Sequence, residues 1–360
     1  MVGRTLGAYL SARFARTIVG VFLAMFALIY TLDFVELVRR AGDNADASAA
    51  RMALLALFRT PSVSEQVLPF CALFGAMAGF LVLSRKLELV VARAAGVSVW
   101  QFLVPPVLVA LGFGVVAVAL FNPLSAHLKQ RADAIEARLF ARAGATGPGQ
   151  LWIRQKSVDG QAILRAELAA EEGRRLSRVT AFTFAEDGRF LSRIEAAEAL
   201  LRDGYWELTD ARELTADGAP RAHMRYQLAT NLLPEQVRQS FVPPETVPLW
   251  DLPAVTDQLK RAGLDSTRYE LQWQALLARP FLLVAMVLVA ATCSLRFFRF
   301  GGVSQAVLSG VSAGFVLYVA TQVARDLCHA GLVSPASAAW APVAAGALMG
   351  TLALLHLEDG

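Results

Sequence analysis

Gly310-Val-Ser312-Ala-Gly314 spells G-x-S-x-G, the pattern that presents a nucleophilic serine on a strand-to-helix turn in acyl-transfer enzymes. The motif lies inside a charge-free run of 25 residues, Phe300 to Ala324, where a turn of that kind has no place. The reading is a serine that packs between membrane helices. An intramembrane serine protease, with His329 or His356 as its base, is the alternative. The four histidines (His127, His223, His329, His356) are scattered over three regions and no H-E-x-x-H occurs, so no metal site is expected. Cys71, Cys293 and Cys328 lie in or beside apolar runs and offer neither zinc spacing nor a disulfide framework. The chain has no G-x-x-x-x-G-K-[ST] and no Gly-Lys pair. It therefore supplies no P-loop of its own.

Two charged groups could act without making or breaking a bond. The first is SRKLELVVARAAG, residues 84 to 96, between long apolar runs. As a helix it sets Leu87, Val90, Val91 and Ala94 at i, i+3, i+4 and i+7, with Glu88 on another face between Arg85 and Arg93. Gly96 is placed to end it. Such a segment is either an interfacial helix or a short helix that docks in a partner's groove, with Glu88 making a charge-assisted contact. The second group is the pair Arg39-Arg40. It serves either as snorkelling anchors or as a phosphate clamp, since guanidinium matches phosphate geometry. Asp33 and Glu36 lie close by and temper the field. Arg325 and Asp326, at the end of an apolar run, read as an ion pair holding a loop.

The elements that position these groups follow from hydropathy. The 360 residues are 56% hydrophobic and 18% charged, with mean hydropathy +0.47, and the apolar residues are clumped. This composition belongs to an integral membrane protein. The formal net charge of +4 gives no argument for nucleic acid. Six segments are long enough to cross a bilayer: near 14–35, 62–83, 98–121, 274–295, 303–324 and 337–356. No small-residue cleavage site follows the first, which reads as a retained span. Arg279 and Pro280 blur the start of the fourth. Gly75–Gly79, Gly310–Gly314 and Gly346–Gly350 fit close helix packing.

Basic residues in short loops orient the chain. Arg4, Arg13, Arg16, Arg85, Lys86, Arg93, Arg296 and Arg299 fall on one side if both termini are cytoplasmic. Arg39, Arg40, Arg51 and Arg59 then lie outside, an exception that needs a use. Residues 125–141 continue the third span as a helix. Between about 150 and 232, alternating runs are separated by VDG, EDG, RDG and ADG, the signature of tight hairpins. Five strands are expected, in a small sandwich or jelly-roll. A proline-rich connector and a short helix, about 253–263, lead back to the membrane. The expected fold is an α-helical integral membrane protein with six transmembrane helices (3+3) and an inserted periplasmic all-β jelly-roll-like domain. The expected segments are 1–124, 125–270 and 271–360.

SRKLELVVARAAGVS following LPFCALFGAMAGFLVLS resembles the coupling-helix region of the lipopolysaccharide export permeases, the LptF/LptG family. DFVELVRRAG, TRYELQWQALLARPF and SGVSAGFVLYV resemble the G-type branch more than the F-type. The resemblance runs through nearly the whole chain. It implies an inner-membrane subunit of an ABC transporter, paired with an F-type paralogue above a cytoplasmic LptB-like ATPase dimer. That ATPase would use ATP and Mg, and this chain would bind no cofactor. Lipopolysaccharide would be extracted and passed to a periplasmic LptC/LptA-like bridge. The resemblance implies that Glu88 sits in the ATPase groove, flanked by Arg85 and Arg93, and that Arg39 and Arg40 face lipid A phosphates. Other classes remain at this point: a membrane-embedded lipid-modifying enzyme, or a non-transporting envelope scaffold.

Overall fold

The structure, a computed structural model, describes residues 4–42, 48–140, 151–157, 160–170, 174–185, 189–215, 218, 220–231, 243–261, 265–298 and 302–359. Six helices in it are long and apolar enough to span a bilayer. The first span is α1 (Arg4–Ala41) and the second α2 (Ala49–Arg85). A short helix, α3 (Glu88–Ala94), separates α2 from the third span. That span is composite: α4 (Val99–Val116), a π-helical turn (Ala117–Phe121) and α5 (Asn122–Phe140). Pro123 explains the irregularity. Its ring has no N–H and clashes with the carbonyl four residues back. One wide turn, in which the Asn122 N–H reaches Ala117 O, absorbs the misfit. Ser48 and Ser98 cap α2 and α4 by accepting from the N–H of Arg51 and Gln101, as helix N-termini require.

After the β insert come α6 (Leu252–Arg261), α7 (Thr267–Phe298), α8 (Val303–His329) and α9 (Pro335–Asp359). All six expected spans are present, and each helix extends beyond its apolar core. The fourth starts at Thr267, so Arg279 and Pro280 lie well inside α7.

The helical unit packs around Phe14, Phe80 and Phe102. The Phe14 and Phe80 rings are 4.8 Å apart and those of Phe80 and Phe102 6.2 Å. Glycine makes the closest contact possible: a Cβ at Gly75 would lie 2.6 Å from Ile18 Cα. Small residues at helix crossings let backbones meet in this way. Burial is uneven. In the most apolar window of α2, 67% of residues are buried, against 6% in α1 and 22% in α8. Both spans present rows of large apolar side chains outward, among them Leu23, Leu28, Leu32, Leu308, Phe315 and Val316.

The insert is all-β. Its strands are β1 (Leu151–Ser157), β2 (Gly160–Ala170), β3 (Arg175–Phe184), β4 (Phe190–Arg202), β5 (Tyr205–Thr215) and β6 (Pro220–Ala229). They form one antiparallel sheet in chain order, a meander. The sixth strand, PRAHMRYQLA, was not expected. Asp203-Gly204 makes a two-residue hairpin between Arg202 and Tyr205, with Gly204 at φ +87°, a conformation that favours glycine. Alternate residues, including Leu164, Val179, Ile194, Trp206 and Leu208, form the buried face. The sheet curls far enough for its first strand to meet its last. Gln155 of β1 donates to Ala229 O at 3.2 Å. Its Oε1 accepts from the Trp206 indole at 3.1 Å and from Thr230 at 2.6 Å.

Candidate transport site

The segment expected as one helix over 84–96 is broken. α2 runs on through Arg85, and Lys86 donates its N–H to Val82 O. Leu87 then adopts φ +58°, which a non-glycine residue rarely takes. That turn redirects the chain, so α3 is only seven residues long, and Arg85 belongs to the end of the second span. Gly96 sits at φ +80° just beyond the helix. The reversal also changes which side chain anchors it. Leu89 is buried in the main core, 6% exposed, whereas Leu87, Val90 and Val91 of the expected stripe are 57%, 46% and 67% exposed. The stripe is therefore an outward apolar edge.

Glu88 opens α3 and is held from α1. Arg13 Nη1 approaches Oε1 at 3.2 Å, and the Tyr9 hydroxyl donates to Oε2 at 3.1 Å. Arg13 also donates to the Tyr9 oxygen, so the three side chains form one cluster. Arg85 was expected to flank the acid. It is exposed and makes no ion pair among the described residues. The backbone of Arg93 lies on α3, but its side chain is outside the described residues. In the sequence Arg13 read only as an orienting charge. Its role was hidden because its partner is 75 residues away.

Arg39 and Arg40 close the last turn of α1, where cations complement the helix dipole. Arg39 makes a two-pronged contact with Glu36, both bonds 2.8 Å, on an exposed surface. Asp33 pairs instead with Arg59 at 3.7 Å. The acids that temper the field thus have named partners.

A buried polar hub was not foreseen. Glu65 of α2 and Arg279 of α7 are 5% and 8% exposed and meet at 2.8 Å. Asn122 donates to both Glu65 oxygens at 3.1 and 3.3 Å, and Ser125 donates to Oε1. Asn122 Oδ1 in turn accepts the Leu249 N–H at 3.0 Å, tying the connector to the bundle. Three spans converge on one carboxylate. Ionisable residues in such positions are expensive and demand partners. A signal existed: one acid and one base, each inside an apolar run.

Ser312 lies in the middle of α8, exposed, with helix on both sides and no strand-to-helix turn. His329 is 17 residues further along, about 26 Å by helical rise. With no strand-to-helix turn at Ser312 the elbow reading fails. Arg325 and Asp326 form no ion pair among the described residues. Adjacent helical positions diverge by about 100°, so they do not face each other.

Comparison with known proteins decides among the remaining classes. The family model described as "Lipopolysaccharide export system permease LptF/LptG" matches residues 8–356. The chain belongs to this family. The permease is 24% identical over 329 residues to the lipopolysaccharide export system permease protein LptG of Escherichia coli strain K12, covering 88% of this chain and 89% of that one. The same figures hold for LptG of Escherichia coli O6:H1, strain CFT073. The resemblance to the G-type branch agrees with both. The family is one of permeases rather than enzymes, and its multi-pass architecture accounts for the six helices and the β insert.

Proposed function

We propose that this chain is the G-type half of an ABC exporter that extracts lipopolysaccharide from the bacterial inner membrane and passes it to a periplasmic bridge protein. An F-type paralogue pairs with it, and a dimeric LptB-like ATPase, using ATP and Mg, drives both from the cytoplasm. The termini and α3 lie on the ATPase side and the β domain in the periplasm. The observation that carries the reading is α3. It is anchored through Leu89 and keeps an exposed apolar edge of Leu87, Val90 and Val91, with Glu88 steadied at its start by Arg13 and Tyr9. An apolar edge beside a positioned charge is the surface a groove recognises. The sparse burial of α1 and α8 supports a second requirement, two spans left free to face a paralogue and the lipid.

The mechanism turns on differential affinity. Apolar walls hold the acyl chains, and Arg39 and Arg40 take the lipid A phosphates, with Arg39 exchanging Glu36 for phosphate. ATP binding must favour a state that holds the lipid less well, or no transport results.

The test is a pull-down of the tagged chain in mild detergent, wild type beside Glu88→Lys, read by mass spectrometry. Wild type should bring down a P-loop ATPase and a second six-span protein. The charge reversal should lose the ATPase and keep the paralogue. Retention of the ATPase by Glu88→Lys would refute the docking role. Absence of both partners from wild type in several detergents would refute the assembly.

A further inference from the structure

A cavity of about 370 Å³ lies between α2, α7, α8 and α9 in the helical unit. Its volume is in the range of small-molecule sites. Its lining is amphipathic. Phe70, Leu282, Met286 and Val343 supply apolar wall, while Gln66, Gln272, Gln322, Glu245 and Arg325 supply polar atoms. None of these five polar side chains has a hydrogen bond or ion pair among the described residues. Arg279 also lines the space, but Glu65 engages it at 2.8 Å. What remains is one cation, Arg325, and one acid, Glu245. Arg325 is near the end of α8, and Glu245 is in the connector turn Pro244–Thr246. Arg325 is half-buried, with Glu245 as its counter-charge across the space, and a cation on a membrane helix favours an anionic group beside it. Glu245, Gln66 and Gln322 are exposed and open to a ligand.

We propose that this cavity is a binding site for a zwitterionic phospholipid, with Arg325 on the phosphate, Glu245 on the head-group ammonium and the apolar wall along an acyl chain. Guanidinium pairs with phosphate through short, charge-assisted bonds. The amides offer N–H donors to the other phosphate oxygens. A lone anion would meet Glu245 and a lone cation would meet Arg325, so a head group carrying both charges fits best. The site is separate from Arg39 and Arg40 on α1 and does not depend on the export reading.

The test is native mass spectrometry of the full chain, delipidated in detergent and titrated with dioleoylphosphatidylethanolamine, dioleoylphosphatidylglycerol, dioleoylglycerol or lipopolysaccharide. Wild type should prefer phosphatidylethanolamine. Arg325→Gln should weaken both phospholipids by about tenfold or more, the loss of one charge-assisted contact, and leave dioleoylglycerol unchanged. Glu245→Gln should weaken phosphatidylethanolamine alone. Ala339→Leu, which narrows the cavity from α9, should weaken both phospholipids without touching either charge. Phosphatidylethanolamine affinity within twofold of wild type in Arg325→Gln would overturn the proposal. So would equal binding of dioleoylglycerol, or tighter binding of lipopolysaccharide with the same dependence on Arg325 and Glu245. None of these readings involves α3, so the ATPase pull-down stands or falls by itself.

Discussion

Replacing Glu65 with leucine removes a carboxylate that receives bonds from Arg279, Asn122 and Ser125. The acid is 5% and the arginine 8% exposed, so Arg279 would keep its charge with no counter-ion where water hardly reaches. Breaking a buried pair from one side costs about 3–5 kcal/mol. Removing both partners is far milder, because no orphaned charge remains and leucine packs in their place. The expected pattern is therefore non-additive: Glu65→Leu and Arg279→Leu each destabilise by at least about 3 kcal/mol. The double variant should recover most of that loss. Ser125→Ala, which leaves the pair intact, should cost about 1 kcal/mol. Equilibrium unfolding of the purified chain in mixed micelles, followed by tryptophan fluorescence, gives the four values of the cycle. Additive losses, or single losses under about 1 kcal/mol, would refute the view that this hub holds α2, the third span and α7 together.

Other contacts make equally definite predictions. Gly75→Ala places a methyl against the Ile18 backbone and should cost about 1–3 kcal/mol in the same unfolding assay. Gly20→Ala, with nothing within 4 Å of the added atom, should be neutral or slightly stabilising. Gln155→Leu strips the Trp206 indole and Thr230 of their acceptor and should destabilise the β domain by about 1–3 kcal/mol, seen as loss of near-ultraviolet circular dichroism. Arg13→Gln leaves Glu88 in place but unsteadied. It should reduce ATPase recovery in the pull-down by less than Glu88→Lys does, and recovery unchanged from wild type would dismiss a positioning role.

The membrane architecture was legible because spans announce themselves as uninterrupted apolar runs, and the bilayer fixes their length. The β insert was legible through its Asp-Gly turns. β6 escaped because PRAHMRYQLA is mostly exposed along its length. With little apolar residue to bury, it shows no alternation, and its proline is tolerated only because it opens an edge strand. At α3 the amphipathic pattern was visible but the break was not, since nothing in the identity of Leu87 announces a positive φ. The Glu65–Arg279 hub was hidden for a different reason. Each residue alone stood a few positions inside the start of a span with no sign of the other, and the partnership joins positions 214 residues apart. Local patterns carry periodicity. Which distant charges meet is decided only when the helices pack.

The helix α1 has one more implication. It contains no proline, and nor does α8, whereas the second, third, fourth and sixth spans all do. The prolines thus fall in the more buried spans, and the two most exposed are unbroken rods. In α1 a single hydrogen-bonded rod separates Arg13 from Arg39 by 26 residues, about 39 Å at helical rise. An unbroken helix transmits displacement along its axis and tilts as one body. On the coupling proposed above, a pull on Glu88 would be delivered through Arg13 to the far end of the same rod. Gly75 and Ile18, the tightest crossing of α1 on α2, lie between those ends.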